Sequence, residues 1–329
     1  MRAGEATLRH LLEPMAAHLA HDATTEVVVH KPGVVGVEQD GFWSWHDAPS
    51  LTYDRLEAIA ILAARMGGKN VGGGISTCAS TLPDGQRIKL MLPPAVPEGT
   101  VSFTIRRRAL SFVPTLEWLR ERDYFALLNP AVDWVRYFEQ DVIGARKTVI
   151  ICGEIGSSKT TFAEALLRAI PLTQRIVTVE SSSEWLNLPQ SGWVPTYFDE
   201  ADANAATNRV QDAMQSRPDW LPFGEIRGGG GDAWALLRAA KVGTPVLTTV
   251  HSPNAIGALS SMESMVKQSD AGRGMSTAEI HTQLRLYCNT IVHCRRILPT
   301  NPAERTIYRI DEVLEVGATP EQDRMVSAS

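Results

Sequence analysis

Residues 153–161 read GEIGSSKTT, preceded by the apolar run TVIIC at 148–152 and followed by FAEALLRAI at 162–170. A β-branched run, a Gly-rich turn and a helix opening at Lys-Thr is the layout of a phosphate-binding loop. The turn lets backbone N–H groups surround phosphate, and the helix N-terminus adds the positive end of its dipole. Gly153, Gly156, Ser157, Ser158, Lys159, Thr160 and Thr161 are the candidate nucleotide-binding residues. Lys159 is expected to reach the β- and γ-phosphates of ATP, and the Thr160 hydroxyl to hold Mg²⁺. The match to G-x-x-x-x-G-K-[ST] has one fault, because Ser158 stands where the second glycine belongs. Taken alone, the stretch is also that of a plain strand–turn–helix joint, and the residues downstream decide between the two.

The chain has 329 residues, enough for two domains. Its 44% hydrophobic and 21% charged residues are those of a soluble globular protein. A net charge of −5 offers no global attraction for nucleic acid. No apolar run approaches the roughly 18 residues of a membrane span, and the N-terminus lacks a signal-peptide core. Cys78, Cys152, Cys288 and Cys294 form no CxxC pair and read as reduced core thiols.

Leu8, Leu11, Leu12, Met15 and Leu19 recur at helical spacing, with Pro14 expected to break or kink the helix. This helix is expected to pack on its own domain; lying on a membrane surface is the alternative. Val27–Val29 and Val34–Val37 read as strands separated by turn dipeptides, and Tyr53–Met66 as a helix stopped at Gly67-Gly68. A hairpin around Asp84-Gly85 and the run TVSFTIRRR complete an α+β domain over 1–112. Linker helices follow over 113–130, then a helix at Ala131–Gln140 and, to residue 329, alternating strands and helices that predict a mainly parallel sheet. The final two runs, TIVHCRRIL and ERTIYRIDEVLEV, read as an antiparallel hairpin, and the last ten or so residues as a disordered tail.

Phosphoryl transfer to water needs a metal, a carboxylate that orients the water, and positive charge. Open parallel sheets place such groups at strand ends. Glu180 ends the strand Arg175–Glu180, with Glu184 one turn on; Glu225 ends the run Trp220–Glu225; His251 ends Pro245–His251. Any one of these alone is an ordinary surface or capped residue, but successive strand ends carrying them point to one site.

These residues carry a resemblance. SRPDWLPFGEIRGG resembles the Walker B segment of the secretion and traffic ATPases, the hexameric P-loop motors of bacterial type IV secretion, type II secretion and type IV pili. TTVHSPNA resembles that family's histidine box, and RIVTVESSSEW its acidic box. TLPDGQRIKLMLPPAVPEGTVSFTIRRR resembles the first-domain stretch of the type IV secretion branch, and the absence of a CxxC…CxxC insert favours the same branch. The resemblance implies an N-terminal domain followed by a RecA-like P-loop domain, α/β in class, with nucleotide between them. It implies a homo-hexameric ATPase that hydrolyses Mg-ATP at the cytoplasmic face of the inner membrane. There it would serve a secretion channel and companion ATPases, by peripheral association and without binding nucleic acid. It assigns catalysis to Lys159, Glu180, Glu225 and His251, with Thr160 and Glu225 toward the metal; which of Glu180 and Glu225 activates water stays open. Arg87 and Arg106 match first-domain arginines that reach nucleotide phosphates, Arg106–Arg108 also reading as a solvated basic cluster. Arg217 and Arg227 match the arginines flanking Walker B.

The departures gather at the nucleotide site. Ser158 costs about 1–2 kcal/mol if φ is positive there. Glu154 adds negative charge, Ser181–Ser183 follow Glu180 where an acid is usual, and Pro222 interrupts a strand, tolerable at an edge or a bulge. A ring member that binds nucleotide but hydrolyses it slowly is the alternative to a working motor.

Overall fold

The computed structural model describes residues 4–39, 41–107, 113–181, 185, 187–198, 202, 204–228, 231–299, 301 and 305–327. The chain divides into two compact units, Met1–Phe112 with Pro299–Arg305, and Val113–Leu298 with Thr306–Ser329.

The first unit opens with α1 (Glu5–Ala20), then β1 (Thr24–Val29), β2 (Gly33–Gln39), β3 (Phe42–Ala48), α2 (Tyr53–Met66), β4 (Thr77–Thr81), β5 (Arg87–Met91) and β6 (Ser102–Arg106). The strands form one antiparallel sheet in the order β3-β2-β1-β6-β5-β4. Alternation sends Val27, Val29, Val35, Val37, Phe103 and Ile105 into a core beneath α1 and α2. Pro14 does not break α1. Its missing N–H leaves the His10 carbonyl without a helical donor, and Arg55 of α2 supplies replacements, Nη2 to His10 O at 2.7 Å and Nε to Leu11 O at 2.8 Å.

The second unit begins with α3 (Leu116–Glu121), shorter than expected, whose Leu116 and Leu119 join the core with Tyr124, Phe125 and Leu128. The helix expected at Ala131–Gln140 starts later, as α4 (Trp134–Arg136), and widens into a π-helical segment, Tyr137–Gly144. Then follow β7 (Val149–Gly153), α5 (Lys159–Ala169), β8 (Val177–Glu180), β9 (Val194–Tyr197), α6 (Ala205–Gln215), β10 (Leu221–Ile226), α7 (Asp232–Lys241), β11 (Val246–Val250), α8 (Ala255–Gln268), α9 (Asp270–Arg273), α10 (Thr277–Tyr287), β12 (Thr290–Ile297), β13 (Ile307–Glu315) and β14 (Arg324–Met325). The sheet runs β14-β13-β12-β7-β11-β10-β8-β9, parallel from β12 to β9 and antiparallel at β13 and β14. Helices cover both faces: Val149 and Ile151 of β7 pack with α3 and α5, while Ile150 and Cys152 pack with α7 and α8. The four cysteines are free and buried.

Pro222 lies in an interior strand, and of the edge or bulge expected to tolerate it the structure shows the bulge. Trp220 N bonds Arg175 O beside β8 and Leu221 N bonds Pro245 O beside β11, so alternation turns Pro222 N toward β8. The lost donor thins that pairing to Ile176–Trp220 and Phe223–Val179, and a bulge follows between Phe223 and Glu225. The expected disordered tail instead folds back: β14 pairs with β13, Asp323 binds Arg285 at 2.7 Å, and Ser327 Oγ accepts from Val313 N at 3.1 Å.

Candidate functional site

β7 delivers the loop at the C-terminal edge of the parallel sheet, with β11 on one side and β12 on the other. Gly153 takes φ +149° and Gly156 φ +74°, and a Cβ on Gly153 would stand 2.2 Å from Cys294 O. Glycine is required there for both conformation and space. Ser158 caps α5 at φ +67°, ψ +23°, the left-handed conformation a glycine would take freely. The Ser158 side chain makes no cap hydrogen bond to α5. It faces the Tyr124 phenol instead, whose pKa burial pushes up to about 12 against the opposing effect of the nearby Ser158 hydroxyl.

Lys159 is buried. Its Nζ donates to Gly153 O at 3.0 Å and Glu154 O at 2.7 Å, and stands 3.3 Å from His251 Nδ1. His251 Nε2 stands 2.6 Å from Glu225 Oε1. His251 Nδ1 also stands 3.3 Å from Gly153 O, so the ring bridges Glu225 on one side and Lys159 with the loop carbonyl on the other. Glu225 Oε2 accepts from Arg227 Nε at 2.8 Å. Burial works against ionisation of Glu225, but Arg227, His251 and Lys159 outweigh it and hold its pKa below the usual carboxylate range. Lys159, His251 and Glu225, far apart in sequence, thus form one polar chain beside the loop.

Glu180 is placed differently. It is fully buried at the end of β8, with Oε1 accepting from Thr178 Oγ1 at 2.7 Å and Oε2 from Trp185 N at 3.1 Å. Glu184, Ser182, Ser183, Arg108 and the Gly229-Gly230 pair lie outside the described residues. Arg217 takes φ +51° in the turn after α6. In the first unit Arg87 and Arg106 are cross-strand neighbours, and Arg106 Nε bonds Glu26 at 3.1 Å.

The loop fits a polyphosphate. The Ser157 hydroxyl is buried without a hydrogen-bond partner among the described residues, α5 begins without a side-chain cap, and Lys159 enters from its first turn. Such a helix start leaves N–H donors for an anion. Sequence reasoning missed two residues at this loop: Tyr124, behind Ser158, and Arg296 of β12, against Gly156. A tyrosine in a predicted linker and an arginine in a basic pair carry no motif signal.

A Gly-rich loop between a central strand and a helix, with a carboxylate and a histidine at the ends of the neighbouring parallel strands, defines a P-loop nucleotide-binding protein. The family model described as "Type II/IV secretion system protein" matches residues 132–321, more than half of the chain, and the chain belongs to that family. It is 32% identical to Protein VirB11 of Agrobacterium fabrum, over 93% of this chain and 92% of that protein. The crystal structure of the VirB11 ATPase from the Brucella suis type IV secretion system, in complex with sulphate, is similar at 26% identity and a TM-score of 0.51, covering 94% of this chain and 95% of that one. The Legionella pneumophila ATPase DotB shares the fold at 17% identity and a TM-score of 0.60, over 98% of this chain and 83% of that one.

Proposed function

We propose that this chain is an ATP-hydrolysing subunit of a ring-shaped, hexameric type IV secretion motor, coupling Mg-ATP binding and hydrolysis to substrate translocation or pilus assembly. The observation that carries this is the polar chain from Lys159 through His251 to Glu225 beside the loop, in a member of the secretion family. The solved Brucella suis relative is described as an ATPase of a type IV secretion system, which favours turnover over a purely structural ring member.

In this reading the loop amides and Lys159 would hold the phosphates, and the Thr160 hydroxyl with Glu225 would hold the metal. Mg²⁺ would neutralise charge on the phosphate oxygens. Glu225 orients the attacking water. His251 ties Glu225 to Lys159, so that a movement of either is felt by the other. Glu180, its oxygens engaged by Thr178 and Trp185, holds the end of β8 in place. For Arg87 and Arg106 a nucleotide role rests on the resemblance of their stretch to the type IV branch. Charge-neutral variants that bind nucleotide like the parent would remove them from the site. No helix among the described residues is long and apolar enough to cross a membrane. We place the motor at the cytoplasmic face of the inner membrane, working on a secretion channel beside companion ATPases.

The test is Mg-ATP binding and phosphate release by the purified protein beside Lys159→Ala. Binding and release by the parent, both lost in the variant, is the expected result. No binding by either, or monomers alone in mass photometry with Mg-ATP present, would count against the motor.

A further inference from the structure

β12 runs parallel to β7, with Cys294 opposite Gly153, so the two residues that follow Cys294 emerge at the loop's edge of the sheet. Alternation sends them apart. Arg295 turns to Asp311, with Nη1 3.5 Å from Oδ2. Arg296 turns to the loop, and its Nη1 stands 3.2 Å from where a Cβ on Gly156 would be. A side chain at Gly156 would meet this guanidinium before anything else.

No hydrogen bond or ion pair engages the Arg296 guanidinium among the described residues, and its Nε is buried without a partner. A buried donor without an acceptor is costly, so its position over the glycine of a phosphate loop points to an anionic acceptor that belongs there. Arginine suits this task, with a charge that persists at any working pH and a planar fork that matches phosphate oxygens.

The sheet order says which part of the ligand Arg296 meets. Glu225 and His251 follow β10 and β11 on one side of β7, and Arg296 lies on β12 on the other. The transferred phosphoryl group belongs on the side of the carboxylate that orients water. Arg296 therefore faces the end that is not transferred. We infer that Arg296 is a nucleotide-binding residue that grips the diphosphate common to ATP and ADP; the inference rests on the P-loop reading above.

Calorimetric titration of Mg-ATP and Mg-ADP into full-length parent, Arg296→Gln, Arg296→Lys and Lys159→Ala proteins tests it. Arg296→Gln is expected to lose about tenfold in affinity, equivalent to about 1.4 kcal/mol, for ATP and ADP alike. Arg296→Lys, which keeps the charge without the fork, is expected to lose less for both. Gln binding both nucleotides as the parent does would overturn the inference while leaving the motor intact, and so would a loss confined to ATP. Should Arg296→Gln fail to fold, Arg296→Lys carries the test, with unchanged ADP affinity overturning it. A parent that binds neither nucleotide would bring down the P-loop reading and this inference together.

Discussion

Ser158 heads α5 at φ +67°, a conformation in which the usual helix ranking of alanine over glycine should invert. Two substitutions separate what its side chain does. Ser158→Ala keeps the Cβ, and so keeps the strain, but removes the hydroxyl that faces Tyr124. A hydrogen bond contributes about 0.5–1.5 kcal/mol, so the alanine variant should be less stable than the parent by no more than about 1 kcal/mol. Ser158→Gly loses the same hydroxyl but relieves about 1–2 kcal/mol of left-handed strain. Against that relief stands the entropy of glycine, roughly 0.5–1 kcal/mol. The glycine variant should then lie near the parent and above the alanine variant by about 0.5–1 kcal/mol. At an ordinary helix position alanine leads glycine by about 1 kcal/mol. The order of the two variants is thus a sharper quantity than either difference from the parent. Thermal unfolding followed by tryptophan fluorescence reads it, since about 1 kcal/mol shifts Tm by roughly 2–4 °C in a domain of 150–250 residues. An alanine variant that melts above the glycine variant would refute the claim that this position works as a glycine position. Both variants are expected to keep Mg-ATP binding, because neither alters Lys159 or the loop amides.

The other predictions concern the two carboxylates and the chain's last turn. Glu225→Gln should weaken nucleotide affinity far less than phosphate release, which falls about 10²–10⁴-fold, the range of a lost acid–base group; single-turnover assays at saturating nucleotide check it, and near-normal release would assign the water to Glu180 instead. Glu180→Gln keeps a carbonyl oxygen for Trp185 N but turns its NH2 toward the Thr178 hydroxyl that now donates to Oε1, so its main effect should be a stability loss of about 1–3 kcal/mol, read by denaturant titration. Asp323 is partly buried, which opposes ionisation, but Arg285 and the Gly317 N–H hold its pKa below the usual value. A carboxyl lowered on folding lends stability that is complete above its unfolded pKa of about 3.9 and is lost as pH falls through the folded value. Asp323→Asn should therefore flatten the acid limb of the stability–pH profile below about pH 4 and leave that profile's shape near pH 7 unchanged.

Much of this protein is local in origin. The loop, the alternation of apolar strands with amphipathic helices and the residues at the strand ends are written in short stretches, because side-chain chemistry and periodicity act over a few residues. They sufficed to read a P-loop domain behind an α+β domain and to name Lys159, Glu225 and His251. Where local rules failed, a distant partner was the cause. Pro14 stays inside α1 because Arg55, over forty positions away, takes the freed His10 carbonyl and bonds its neighbour at Leu11 as well. The C-terminal residues are held because β13 and Arg285 lie in wait for them. Only the tertiary structure decided that Glu225 joins Lys159 through His251 while Glu180 is bound up in its own strand end. It also decided that Ser158 takes a glycine's conformation against Tyr124, and that Arg296 stands over Gly156. Each of these depends on the register between strands far apart in the chain or on a dihedral imposed by closure of the loop, and neither quantity has a signature in neighbouring residues.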